Sequence, residues 1–427
     1  MRKEKGLRSE VLAFTLEKLK ALTSNKFFKE AGKMKREVLG TAILAFSLSL
    51  ILGLMPGCEV VEIGEGGDIQ VSEYDYGYDY DGVLCTDKGT GGDGAFSSAD
   101  MTGTWMMHIL TVGDDPAYSG WINTKIQVDE SGQATCLEHL DSRGHNSCKN
   151  INPTNVYVSS DGIVTISGDF PWHGVMNADK NEVTFSDTNI FGLHELGIVT
   201  KIDDSVLFDS TDMAGTWMVN ILTVDDYSAN SGWINAKIQV DDSGQATCLE
   251  YLDSIGHNSC QKANPVDVYV SSDGIVTLSE DSSWHGMMNV DKSKVIFTHT
   301  NIFGDHEFGI LTKMDDRRLF DSTDMAGTWM VNILTVGDDP AYSGWINTKI
   351  QIDDSGQATC LEHLDSRGHN SCKNINPTNV YVSSDGIVTL SEDSSWYGVM
   401  NADKNEVTFS DTNIFGLHEF GIVTKIH

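Results

Sequence analysis

Ile122, Thr124, Ile126 and Val128 alternate with Asn123, Lys125, Gln127 and Asp129. That period of two is expected of a strand with one buried face. The runs 104–112, 155–159, 163–167, 172–177, 182–186 and 196–202 also read as strands. Turn chemistry separates them. Ser160-Asp161-Gly162 is a hairpin signal, because glycine accepts the positive φ of a tight primed turn. Glu130-Ser131-Gly132 and the run Asn177-Ala178-Asp179-Lys180-Asn181 are looser turns. No helical period is evident there. About eight short strands in ~105 residues predict an all-β unit, a small antiparallel barrel or sandwich.

The unit occurs three times. Gly103-Thr104-Trp105 recurs as Gly215-Thr216-Trp217 and Gly327-Thr328-Trp329, always 112 residues on. Ser119-Gly120-Trp121 recurs with Trp233 and Trp345 at the same spacing. The first and third copies are nearly identical, which indicates recent duplication, so the more diverged middle copy is the better witness. The expected boundaries are 99–203, 211–315 and 323–427 for three separate repeats, each able to fold alone. A six-bladed propeller is arithmetically open, but the two halves of a copy do not resemble each other.

Ahead of the repeats, residues 38–55 form an apolar run preceded by Lys35 and Arg36, the layout of a signal peptide. The run ends Leu54-Met55-Pro56-Gly57-Cys58, which resembles the bacterial lipobox, Pro56 being its least usual member. That resemblance implies a lipoprotein with Cys58 as its lipidated N-terminus, and hence a membrane partner. Multiple acyl chains anchor more firmly than a single one. The competing reading is an uncleaved transmembrane helix, since eighteen residues is near the minimum span. Both put the body outside the cytoplasm. Glu59, rather than Asp, after the cysteine implies the outer membrane by resemblance to enteric lipoproteins. Residues 1–57 are thus expected to be a helical leader and signal peptide, with Met1 or Met34 as the start. Residues 58–98, rich in Gly, Asp and Tyr, read as a flexible acidic tether.

Charge narrows the function. The formal net charge is −33, but residues 1–57 carry eleven Lys/Arg against five Asp/Glu, and residues 58–427 carry eighteen against fifty-seven. A body of −39 repels phosphate backbones and anionic membranes, so nucleic acid is not an expected partner. Eight cysteines divide into Cys58, an unassigned Cys85, and the pairs Cys136/Cys148, Cys248/Cys260 and Cys360/Cys372. In an exported chain the pairs read as disulfides. Zinc binding with His139 and His145 is the alternative, and Tyr251 replaces His139's counterpart in the second copy.

His194-Glu195, His306-Glu307 and His418-Glu419 pair an imidazole with a carboxylate. Adjacent strand residues face opposite ways, so each pair cannot converge on one atom. No metal site, cofactor or catalytic residue is expected, and no nucleophile, phosphate-loop or His-Glu-x-x-His motif is present. Trp121, Trp233 and Trp345 fall out of phase with the buried Ile122 set and are the expected exposed aromatics for binding.

Gly-x-Trp on a first strand, followed by up-and-down strands, resembles the lipocalin/calycin barrels. It implies a basic side chain near that Trp late in the last strand, a role open to Lys201, Lys313 and Lys425. The function expected is non-enzymatic: a lipid-anchored cell-envelope protein presenting repeated β-domains to a surface ligand or protein partner. A lipocalin-like carrier of a small apolar molecule in each barrel is the alternative.

Overall fold

The computed structural model describes Val61–Ile63, Ile69–Val71 and residues 96–426, apart from 114–117, 151–153, 168–171, 190, 226–230, 261–264, 280–284, 302, 316, 338–341, 375–377, 391–396 and 414. The expected leader, Cys58 and Cys85 lie outside the described residues. The chain divides into a unit over residues 1–89 and a unit over residues 90–427. In the first, strands β1 (Val61–Ile63) and β2 (Ile69–Val71) pair antiparallel, inside the stretch read as a tether.

The second unit is all-β: three closed, antiparallel, eight-stranded barrels. The first barrel comprises β3 (Gly103–Val112), β4 (Gly120–Val128), β5 (Gln133–Asp141), β6 (Thr154–Val158), β7 (Ile163–Ser167), β8 (Trp172–Met176), β9 (Glu182–Thr188) and β10 (His194–Ile202), and β10 closes on β3. Strand β5 was not anticipated. A bulge puts Leu137 between the pairs Lys125↔Glu138 and Ile126↔Cys136, which breaks the alternation.

Each barrel is filled. Trp105, Met107, Ile109, Val128, Phe185 and Val199 pack its core. A Cβ on Gly197 would lie 2.4 Å from the Phe185 ring, so the bare backbone there is what admits the phenyl group. A 3-10 helix, Ser98–Met101, caps the end where the chain enters. Trp105 Nε1 donates to the Met101 carbonyl at 2.6 Å. Lys201 donates to the Asp100 carbonyl at 3.1 Å, with its ammonium 5.2 Å from the Trp105 ring centre. Lys313 and Lys425 repeat the contact on Trp217 and Trp329. The Lys–Trp proximity implied by the lipocalin resemblance is therefore present in every copy, although two side chains do not define a family.

The barrels do not hang as beads. The β3–β4 face of the first packs on Lys294–Thr300 and His306–Lys313 of the second, and the equivalent faces join the second to the third and the third back to the first. The result is a closed ring with pseudo-threefold symmetry. Its centre is apolar: Leu110, Val112, Leu196 and Ile198 meet Leu222, Phe308, Ile310, Leu334, Phe420 and Ile422 in one cluster. Phe308 and Phe420, from different barrels, meet edge to face at 5.5 Å.

Candidate functional site

Strands at the ring centre are buried on both sides, and their outward residues build three interfaces of one design. Trp121 Nε1 donates to Thr300 Oγ1 (2.8 Å), Trp233 to Thr412 (2.8 Å) and Trp345 to Thr188 (2.7 Å). One position further in, Asn123 accepts from Thr298 at 2.7 Å, and Asn235 and Asn347 accept from Ser410 and Ser186. This corrects the expectation for the three tryptophans. They are out of phase with the barrel core, as read, but they are only 5–8% exposed because a neighbouring barrel covers that face.

At one end of the axis the equivalent positions 182, 294 and 406 meet as Glu182, Lys294 and Glu406. Lys294 Nζ lies 2.8 Å from a Glu182 oxygen and contacts Glu406 as well, and all three side chains are buried. Burial pushes the Glu182 carboxyl well above the usual carboxylate range, and the charge of Glu406 adds to it against the pull of Lys294. Burial acts the same way on Glu406, but the Lys294 ammonium and the Glu182 hydrogen bond outweigh it and hold this carboxylate below its ordinary value. One buried ammonium thus lies between two buried carboxyls whose affinities for a proton are pushed in opposite directions.

Inside the first barrel, Asp187 and Glu195 pair across β9 and β10. Burial raises Glu195 to about 8, opposed by Asn189 and aided by Asp187. Burial likewise raises Asp187 to about 6 and Glu419, in the third barrel, to about 7. His194, one residue from Glu195, instead bonds Thr188 Oγ1 at 3.1 Å, so the His-Glu neighbours do separate.

The cysteine pairs are disulfides: Cys136–Cys148, Cys248–Cys260 and Cys360–Cys372, each with Cα atoms 5.7 Å apart. His145, His257 and His369 stand in those loops and bond Asp141, Asp253 and Asp365 at 2.7–2.9 Å. Among the described residues no group of three or more His, Cys, Asp or Glu is placed to hold a metal ion.

The most exposed aromatics among the described residues lie elsewhere, ahead of half-exposed tyrosines such as Tyr157, Tyr269 and Tyr381. Phe191, Phe303 and Phe415 are 79–82% exposed, each at the tip joining the last two strands of its barrel. Asn189 Oδ1 accepts from the Phe191 and Leu193 amides (2.9 and 3.1 Å), and Asn301 and Asn413 set the same turn. The available signal was the repeated Asn-Ile-Phe-Gly, a turn sequence that places a phenylalanine between two strands rather than in one.

No protein-family model and no curated protein sequence matches the chain. Among solved structures, a variant of transferrin binding protein B from Haemophilus parasuis is similar at 9% identity and TM-score 0.22, over 76% of this chain and 75% of that one. Transferrin binding protein B from Neisseria meningitidis is similar at 9% identity and TM-score 0.22, over 72% and 63%. A DUF3598-family protein of unknown function from Nostoc punctiforme is similar at 11% identity and TM-score 0.19, over 51% and 96%. Likenesses of this strength carry no argument about function. Among the described residues no helix is long and apolar enough to cross a membrane, which says nothing of residues 38–55 or of β-barrels.

Proposed function

We propose that the chain is an exported cell-envelope protein, anchored through lipid on Cys58, whose ring is a rigid non-enzymatic platform for binding an external partner. The observation that carries this reading is the threefold repetition of one exposed phenylalanine, Phe191, Phe303 and Phe415, on turns fixed by Asn side chains. Exposed aromatics are favoured contact residues, and three linked copies multiply a weak contact into avidity. These tips adjoin the Val112 end of β3, whereas the chain enters at the Gly103 end, so the rim faces away from the entry side. The carrier reading has less support, because the first barrel's apolar core encloses a cavity of only about 10 Å³.

The test compares cells displaying the native protein with cells displaying the triple Phe→Ser variant at equal surface level. Binding is scored against immobilised host proteins, glycans and neutral lipid vesicles. Binding to one of these that the variant loses supports a platform. Equal binding by both proteins, together with stoichiometric uptake of an apolar fluorophore by the purified ring, would replace it with the carrier. Globomycin-sensitive processing that is abolished by Cys58→Ser tests the anchor; a mature mass unchanged by the substitution would remove it.

A further inference from the structure

The strands that line the ring axis present polar side chains to it between two well-packed ends. At one end Glu182, Lys294 and Glu406 meet. Toward the other lies the apolar cluster that holds Ile198, Ile310 and Ile422. The last strands of the three barrels, β10, His306–Lys313 and His418–Ile426, carry Thr200, Thr312 and Thr424. Each threonine stands directly opposite a member of the triad: Thr200↔Glu182, Thr312↔Lys294 and Thr424↔Glu406. Side chains paired in this way share a face, roughly 5 Å apart, so the three hydroxyls lie beside the triad on the axial side. They are 1–2% exposed, and none has a hydrogen-bond partner among the described residues.

A second tier lies two residues along the first strands. His108, Asn220 and Asn332 stand opposite Ile198, Ile310 and Ile422, which meet in the apolar cluster. All three are buried, and each keeps one polar atom without a partner among the described residues: His108 Nε2, Asn220 Oδ1 and Asn332 Nδ2. Two strand residues span about 6.7 Å, roughly two hydrogen-bond lengths, so a small molecule between the tiers can reach both.

The pattern of donors and acceptors sorts the possible ligands. Asn123 Oδ1 accepts from Thr298 at 2.7 Å and lies 2.9 Å from His108 Nδ1, so Nδ1 carries the ring proton and Nε2 is an acceptor. Burial pushes this imidazole down to about 4, against the opposing pull of the Asn123 bond, and the ring is neutral at pH 7. Asn220 donates its amide to Asn235 Oδ1 at 2.7 Å and keeps an acceptor, whereas Asn332 keeps a donor. Each threonine hydroxyl both donates and accepts. A cation would serve the acceptors alone, an anion the donors alone, and an apolar molecule neither. Water serves both kinds, and an enclosed set of otherwise unpaired polar groups is what holds a buried water in place.

We infer that the ring axis binds a cluster of buried water, held by Thr200, Thr312 and Thr424 on one side and by His108, Asn220 and Asn332 on the other. Its partners come from all three barrels, so the cluster forms only in the closed ring.

The test is water ¹⁷O magnetic relaxation dispersion on the full chain, which detects waters held for longer than the molecule takes to tumble, together with a melting curve. The wild type is compared with a variant carrying Thr200→Val, Thr312→Val and Thr424→Val, and with one carrying serine at the same three positions. The valine variant should lose dispersion equivalent to at least ~1 water and melt below the wild type. The serine variant keeps the hydroxyls and should keep the dispersion. If the triple valine variant does not fold, each single valine variant reports the same two quantities. Unchanged dispersion in the valine variant, or its loss in the serine variant, would overturn the inference. So would a valine variant that melts above the wild type, as the removal of dry, unpaired hydroxyls would cause. Wild-type melting that follows the identity of the cation or anion at equal ionic strength, and does not in the valine variant, would assign the axis to an ion and overturn it as well.

Discussion

The two walls of one barrel obey different rules. The wall made by β9, β10, β3 and β4 faces the ring centre, and its strands are seven to ten residues long with continuous ladders. The wall made by β6, β7 and β8 faces outward, and its strands are five residues long. Strand β5 joins the two walls and pairs with β6 at only two positions, Gln133↔Asn155 and Ala134↔Thr154. The inner wall is buried on both faces and held by packing. The outer wall packs on one face, and a disulfide pins its weakest seam. Stability should therefore be dominated by burial and buried charge inside, and by covalent closure outside.

The sharpest way to break the inner wall is at Lys294. Lys294→Met leaves Glu182 and Glu406 facing each other without a cation, and should cost about 3–5 kcal/mol in chemical denaturation. Glu182→Gln removes the carboxyl whose proton affinity burial raises while keeping a polar side chain of the same shape, and should change stability by less than about 1 kcal/mol. Equal losses in the two variants would contradict the upward push on Glu182.

On the outer wall, reduction should destabilise each barrel by roughly 3 kcal/mol through the freed loop, and peptide mapping should show only pairs within a copy. A melting temperature indifferent to reductant would mean that the β5–β6 seam holds without the bond.

A pH scan separates the barrel interior from both walls. Glu195 moves from an ordinary 4.5 to about 8 on folding, so the folded chain holds a proton that the unfolded chain releases. Its contribution is full below about pH 4.5 and is lost as pH rises toward 8. Glu419 does the same toward 7. Stability should thus fall between about pH 4.5 and 8, and Glu195→Gln should recover up to about 5 kcal/mol at the alkaline end, at ~1.4 kcal/mol per pH unit between the folded and unfolded values. A Glu195→Gln curve parallel to wild type would show that the carboxyl is not buried in solution.

The smallest effect expected is at an interface. Trp121→Phe keeps most of the ring area and removes one hydrogen bond to Thr300, a loss of about 1 kcal/mol. Larger losses would point to packing that Phe cannot supply.

The same contrast explains what could be read from sequence. Three copies, all-β character and the cysteine pairing were legible, since spacing and turn residues encode them locally. Ile122, Thr124 and Ile126 identified the face of β4 toward the barrel. What covers Trp121 was not legible, because alternation reports the nearer core and is silent about a neighbouring barrel. The signal lay in Met106-Met107-His108-Ile109-Leu110, an apolar run interrupted only at His108 rather than at every second residue, as expected for a strand covered on both faces. The axial triad was also hidden: Glu182, Lys294 and Glu406 are ordinary surface residues until the ring closes. Arg318 and Asp403 meet for the same reason, through assembly rather than through any motif.

The ring itself is best tested by scanning calorimetry on the full chain, comparing the calorimetric enthalpy with the van't Hoff enthalpy of the main transition. Three barrels sharing one apolar centre should melt as a unit, with a ratio near ~1. A ratio near ~3, unaltered by Lys294→Met, would mean that the barrels unfold independently and that the shared centre does not couple them.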